Sequence, residues 1–138
     1  MKSKFKAMVL SCMDPRFQQL VFNYLKKKKL IGKFSAFTIA GGAIGVTHNK
    51  FKKWQSVFIE NLSTSIKLHK IERLIVINHK DCGAAKIVNS KRKFNSLNED
   101  EIHITSFIKL KKIIKKKFPK LKIDLNLMSI DSKIRKFK

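Results

Sequence analysis

Short apolar runs alternate along this chain with stretches whose apolar positions recur every three or four residues. That alternation predicts strands and helices in turn. Residues 5–11 read as a buried strand. Asp14 and Pro15 then fit an N-cap and a first helical residue, and Phe17, Leu20, Val21, Tyr24 and Leu25 mark one helical face. Lysines 26–29 close that helix where its dipole favours cations, and Gly32 can stop it. Residues 34–40 form a second strand, followed by the glycine-rich turn Gly41-Gly42-Ala43-Ile44-Gly45. Phe51, Trp54, Val57, Phe58, Leu62 and Ile66 return to helical spacing, ending near His69. Residues 73–78 are a third strand, and their unbroken apolar character predicts burial on both faces, as in a parallel sheet.

Beyond Cys82 the pattern predicts a short helix over 84–89 and a polar loop over 90–98. Ser96 and Glu99 fit a capping box for a last long helix, with acids at its start, lysines at its end and Pro119 just past it. Residues 122–130 are a fourth strand, and Asp131-Ser132 turns into a brief final strand over 133–137. No repeat or linker interrupts the series. The expectation is one α/β domain over residues 1–138, a mostly parallel four-stranded sheet flanked by helices.

Composition changes this picture little. With 138 residues, 43% of them hydrophobic, the chain can bury a substantial core. No apolar run approaches the ~18 residues that span a membrane. The basic start mimics the first part of a signal peptide, but the apolar stretch behind it is too short, so the protein reads as cytoplasmic. The net charge of +23 invites a nucleic-acid partner. Yet the arginines are only Arg16, Arg73, Arg92 and Arg135, and the other basic residues are lysine. Bidentate recognition of phosphate and bases favours arginine, and no binding motif accompanies the charge. No specific nucleic-acid partner is expected.

The candidate chemistry sits at strand ends. Ser11-Cys12-Met13-Asp14-Pro15-Arg16 follows the first strand, and His79-Lys80-Asp81-Cys82-Gly83 follows the third. Open α/β sheets bind ligands at the carboxyl ends of their strands. Cys12 and Arg16 stand too close for a phosphatase loop. The glycines after the second strand match a relaxed dinucleotide fingerprint, but the turn does not open directly into the next helix and no acidic residue sits at the end of the next strand to hold a ribose. Thiol redox chemistry lacks a Cys-x-x-Cys pair. Two cysteines and a histidine are a zinc ligand set that leaves a fourth position open. His79 and Cys82 are close enough in sequence to grip one ion, with Cys12 arriving from another strand. Duller roles exist for each residue alone: Asp14 with Pro15 is a good cap, and buried cysteines pack well. His48, His69 and His103 lack such a context and are expected at the surface or boundary. Trp54 and the 11 phenylalanines are expected in the core or at a subunit interface.

Taken together, Cys-x-Asp-x-Arg, then Ala-Gly-Gly, then His-x-x-Cys-Gly, on alternating strands, resembles the β-class carbonic anhydrases. The resemblance runs from Phe5 to about Asp131. It implies Cys12, His79 and Cys82 as ligands of Zn2+ at the carboxyl edge of the sheet, and Asp14 and Arg16 as the family's carboxylate–arginine pair. It implies zinc-activated attack of water on carbon dioxide, reversibly giving bicarbonate, with Asp14 orienting the attacking group and Arg16 holding Asp14 off the metal. Asp14 freed from Arg16 becomes a possible fourth ligand in a closed state. Relatives on this scaffold also include carbonyl sulfide and carbon disulfide hydrolases and non-catalytic zinc-binding proteins. The resemblance further implies a homodimer or higher homo-oligomer. Cys12 lies so near the start of the sequence that the family's amino-terminal helical arm has no counterpart here, and Pro15 replaces a small polar residue. The expectation is a minimal member of the family.

Overall fold

The computed structural model describes residues 4–138. Its strands are β1 (Ala7–Ser11), β2 (Phe34–Thr38), β3 (Arg73–His79), β4 (Lys122–Met128) and β5 (Ile134–Phe137). They form a five-stranded sheet in the order β2-β1-β3-β4-β5. The first four strands are mutually parallel and β5 runs antiparallel along β4. The brief final strand predicted at 133–137 thus joins the sheet as its fifth member.

Side-chain alternation divides the core between the two faces. On one face Met8 and Leu10 of β1, Leu74 and Val76 of β3, and Leu125 and Leu127 of β4 form a single buried cluster. It is covered by α2 (Ala43–Thr47), α3 (Lys52–His69) and α5 (Ser96–Lys117), through Ala43, Val46, Phe58, Leu62, Phe107, Leu110 and Ile114. On the other face Ala7, Val9, Ile75, Ile77 and Met128 meet Phe17 and Leu25. Phe17 ends a single 3-10 turn, Pro15–Phe17, which leads into α1 (Gln18–Lys27). β3 is buried along nearly its whole length, as its continuous apolar run predicts. Each such side chain contributes about 1.5–3 kcal/mol by leaving water, so the central strands are the most firmly held part of the molecule.

Three local readings change. The glycine turn does not stay a turn: Gly42 opens the short helix α2, whose five residues are all buried. The long helix α5 is capped by Asn95, whose side chain accepts the Asn98 amide at 2.9 Å, so Ser96 and Glu99 form no capping box. Glu99 lies instead on the inward face of α5 with His103. His103 is fully buried, against the surface or boundary position expected for it, whereas His48 and His69 are half-buried.

Strand order locates the site. The chain leaves β1 toward β2 on one side and reaches β3 on the other, so β1 and β3 flank the topological switch point. Crevices open at such points outside the carboxyl ends of the strands. Cys12 follows β1, and His79 ends β3 with Cys82 just beyond it. A further short helix, α4 (Gly83–Val88), begins immediately after Cys82.

Candidate metal centre

Cys12, His79 and Cys82 come together as their strand-end positions predict. One ligand atom from each lies within 4.8 Å of the other two, and all three residues are buried. Each is aimed by its neighbours. Gly41 donates its amide to Cys12 Sγ at 3.2 Å. Gly41 and Gly42 have φ of +78° and +54°, and an added Cβ would stand 2.7 Å from the Ala84 Cβ or 2.8 Å from Asn78 Oδ1 respectively. Positive φ and these short approaches to Ala84 and Asn78 favour glycine at both positions of the turn that meets the sulfur. His79 stacks on Phe17, with ring centroids 4.1 Å apart.

The His79 ring identifies its own free end. Nδ1 is 2.7 Å from the Lys80 carbonyl oxygen, which can only accept, so Nδ1 carries the hydrogen. Nε2 of the neutral ring then offers a lone pair, and this buried atom has no hydrogen-bond partner among the described residues. A buried polar atom without a partner costs stability unless something binds it. The fit to a soft divalent metal is therefore good: an imidazole lone pair and two sulfurs converge from two strand ends, and the other imidazole nitrogen is tied to a carbonyl as is usual for metal-binding histidines.

The two thiols are electrostatically coupled. A hydrogen bond from Cys82 holds the Cys12 thiol well below its ordinary range, against the opposing effect of burial and with help from the Gly41 amide. The same hydrogen bond, with burial, pushes Cys82 up. A divalent cation between the two sulfurs would favour the thiolate form of both.

Asp14 and Arg16 form the outer wall. Arg16 donates from Nη2 to Asp14 Oδ2 at 2.7 Å and from Nε to Oδ1 at 3.1 Å, a bidentate pair. Its backbone amide also reaches Oδ1 at 2.9 Å, so the simple capping role of Asp14 is present alongside. The Arg16 guanidinium draws the Asp14 carboxyl down to about 2, outweighing its burial. Asp14 Oδ2 is 3.7 Å from His79 Nε2, so this carboxylate stands beside the free imidazole nitrogen. Arg16 is itself anchored by Asp81, through Oδ2 at 2.9 Å and the carbonyl oxygen at 3.0 Å.

Asp81, Glu99, His103 and Asn78 are site residues that the motifs did not single out. Glu99 accepts the backbone amides of Asp81 and Cys82, both at 3.0 Å. Burial would raise its carboxyl, but hydrogen bonds from His103 and those two amides bring it down to about 2. A signal was available: Glu99 and His103 continue, at helical spacing, the inward stripe of Phe107, Leu110 and Ile114. Polar residues on an apolar stripe are the informative exceptions.

The family described as "Putative carbonic anhydrase" matches residues 1–121, and the chain belongs to it. An uncharacterized protein of Rickettsia bellii (strain RML369-C) is 29% identical over 128 residues, covering 92% of this chain and 78% of that protein. An uncharacterized protein of Rickettsia conorii (strain ATCC VR-613 / Malish 7) is 27% identical over 125 residues, covering 90% and 67%. Among solved structures, the β-carbonic anhydrase CcaA superposes with a TM-score of 0.63 at 14% identity, over 99% of this chain and 81% of that one. The β-carbonic anhydrase CafA of Aspergillus fumigatus gives 0.61 at 9% identity, over 99% and 76%. The fold is that of the β-carbonic anhydrases. Among the described residues no helix is long and apolar enough to cross a membrane.

Proposed function

We propose that residues 1–138 form one domain that interconverts carbon dioxide and bicarbonate with Zn2+ held by Cys12, His79 and Cys82. The observation that carries this reading is the buried, unpartnered Nε2 of His79 facing two sulfurs within 4.8 Å, with the Asp14–Arg16 pair beside it. Zinc in such a site supplies Lewis acidity that lets water act as a nucleophile near neutral pH.

The chain's own groups do the rest. Two thiolates and a neutral imidazole would balance the +2 charge and leave one position open. Asp14, kept ionised by Arg16, can only accept hydrogen bonds, so it orients an O–H beside His79 Nε2. Arg16 occupies both oxygens of Asp14 and so holds the carboxylate back from the open position. Release of that grip would let Asp14 close the site as a fourth ligand. Phe17, stacked on His79, keeps the ring in place and water off its inner face.

The reading includes a homodimer or larger homo-oligomer acting in the cytoplasm. Support for assembly comes from two Sordaria macrospora β-carbonic anhydrases described as tetrameric, one chain of which superposes with a TM-score of 0.59 at 9% identity. The test is metal analysis coupled to a carbon dioxide hydration assay on the purified protein. Zinc-dependent hydration is expected. Stoichiometric zinc without hydration would point to another small substrate or to a binding role, and absence of zinc would end the reading.

A further inference from the structure

Glu99 has no part in the motif, yet it is 4% exposed and sits behind Cys82. Among the described residues, the groups that hydrogen-bond or pair with its carboxylate are all donors. The Asp81 and Cys82 amides lie at 3.0 Å, His103 Nε2 at 3.1 Å and the Lys80 ammonium at 3.7 Å. A carboxylate is acceptor-only and can satisfy them all, whereas a side-chain amide would turn its own N–H groups against them.

The backing of Glu99 is equally specific. Ala43 donates its amide to Asn78 Oδ1 at 2.9 Å, which leaves Asn78 Nδ2 as the donor toward His103 Nδ1, also at 2.9 Å. With Nδ1 accepting, His103 Nε2 carries the hydrogen that points at Glu99. Asn78 and His103 are both completely buried. Asp81, which Glu99 grips, is a non-glycine residue at φ +59°. Aspartate visits that conformation more readily than most residues, and here the Glu99 carboxylate holds it by taking the Asp81 and Cys82 amides. The same Asp81 anchors Arg16 through its carboxylate and its carbonyl. The ties therefore close a ring around the cluster: Asp14 to Arg16, Arg16 to Asp81, Asp81 to Glu99, then His103, Asn78, Ala43 and, through the glycine turn, back to Cys12.

We propose that Glu99, backed by His103 and Asn78, is the positioning residue of the metal centre. It holds the Asp81–Cys82 turn so that the Cys82 sulfur and the Arg16–Asp14 pair are presented together to one ion. The proposal rests on the zinc reading above. Part of it is measurable with no metal present.

The test compares the full chain with Glu99→Gln, which keeps the shape but removes the acceptor-only character. In the zinc-free protein, hydrogen exchange at the Asp81 and Cys82 amides should speed up about tenfold or more while the β1 and β3 amides are unchanged. In the zinc-loaded protein, loss of zinc to excess EDTA should be about 10–100-fold faster. The absorption bands of the cobalt-substituted protein should shift as the ligand geometry relaxes. His103→Phe, which retains Glu99 but removes its buried donor, should move all three readouts the same way by less. Leu62→Val, remote in the core, controls for lost stability alone and should leave zinc loss unchanged. Unchanged amide exchange in Glu99→Gln would overturn the proposal. So would faster exchange with wild-type zinc retention, because the turn would then not govern the metal. Failure of the wild-type protein to take up zinc would instead strike the zinc reading, and this proposal only through it.

Discussion

Cys12 and Cys82 would offer the same atom to the same ion, but the loops that carry them are held by unlike means. On the Cys12 side the outer tie is the Asp14–Arg16 pair, with the Arg16 side chain 47% exposed. On the Cys82 side the tie is Glu99 with His103 and Asn78, all buried. A pair with its guanidinium half in solvent is screened and opens more easily than one buried on both sides. A buried, fully satisfied network is costly to break, because each lost partner strands a desolvated group. The Cys82 side is thus built to stay fixed, and the Asp14–Arg16 side is built so that it can move. That division suits a site in which the metal must stay while its open position is alternately free and blocked.

The largest expected effect comes from removing a ligand on the rigid side. Cys82→Ser should reduce bound zinc from about one per chain to a small fraction, and hydration activity with it. Elemental analysis of protein purified with and without added zinc checks this. Stoichiometric zinc in the variant would remove Cys82 from the ligand set and dissolve the comparison.

The mobile side should behave differently. Arg16→Ala leaves all three ligands in place, so zinc should be retained. Turnover should nevertheless fall about 10–100-fold, because Asp14 is no longer held back. Asp14→Ala should also keep zinc and lose activity, through loss of orientation rather than blockage. Zinc content measured beside turnover for both variants separates this from simple destabilisation. Near-wild-type turnover in Arg16→Ala would reduce the pair to the helix cap that Asp14 also forms.

The two sides also differ in how far the sequence disclosed them. Asp14 and Arg16 lie at short fixed spacing from Cys12 in one extended stretch, so the pattern could be read directly. The parallel strands were equally legible, because β1 and β3 are buried on both faces and their apolar runs are unbroken. Glu99 and His103 were not found, since their partners are Asp81, Cys82 and Asn78, which only the packing of α5 over the sheet brings near. Local spacing suggested a capping box instead, and Asn95 took that role in the fold. The helix α2 was missed for a similar reason. Its glycines signal a turn, while the burial that makes it helical depends on α3 and α5.

The glycine turn joins the two sides, and its conformation can be probed without metal. Gly42→Ala would place a Cβ at φ +54° and 2.8 Å from Asn78 Oδ1, in the middle of the buried network. A loss of about 1–3 kcal/mol in unfolding free energy is expected by urea titration. Gly83→Ala is the matched control, since nothing lies within 4 Å of its added Cβ, at the first turn of α4. Its stability should be unchanged or slightly raised, alanine being the better helix former. Equal losses in both variants would mean that crowding at Asn78 does not limit the turn.

The smallest effect sharpens the comparison from within one loop. Lys80, between His79 and Cys82, is also held from the solvent side, donating to Asp100 Oδ1 at 2.6 Å and to the Ser96 carbonyl at 3.0 Å. Arg135 on β5 reaches the same Asp100 oxygen at 2.8 Å. Burial raises the Asp100 carboxyl, but the hydrogen bonds from Lys80 and Arg135 outweigh it and the net shift is downward. A carboxyl lowered on folding stabilises above its unfolded pKa of about 4, and loses that contribution as pH falls through the folded value. Asp100→Asn should therefore cost about 0.5–1 kcal/mol at neutral pH, given partial exposure. The difference from wild type should narrow below about pH 4 and vanish once Asp100 is protonated in both states. Because this clip is only partly buried and touches neither the Cys82 amide nor a ligand atom, zinc retention should not change, in contrast to Glu99→Gln. Unfolding curves from pH 7 down to pH 3, with EDTA challenge at pH 7, measure both quantities. If Asp100→Asn released zinc as fast as Glu99→Gln, the outer clip would be positioning the metal too, and burial would no longer distinguish the ties that fix the Cys82 loop from those that merely decorate it.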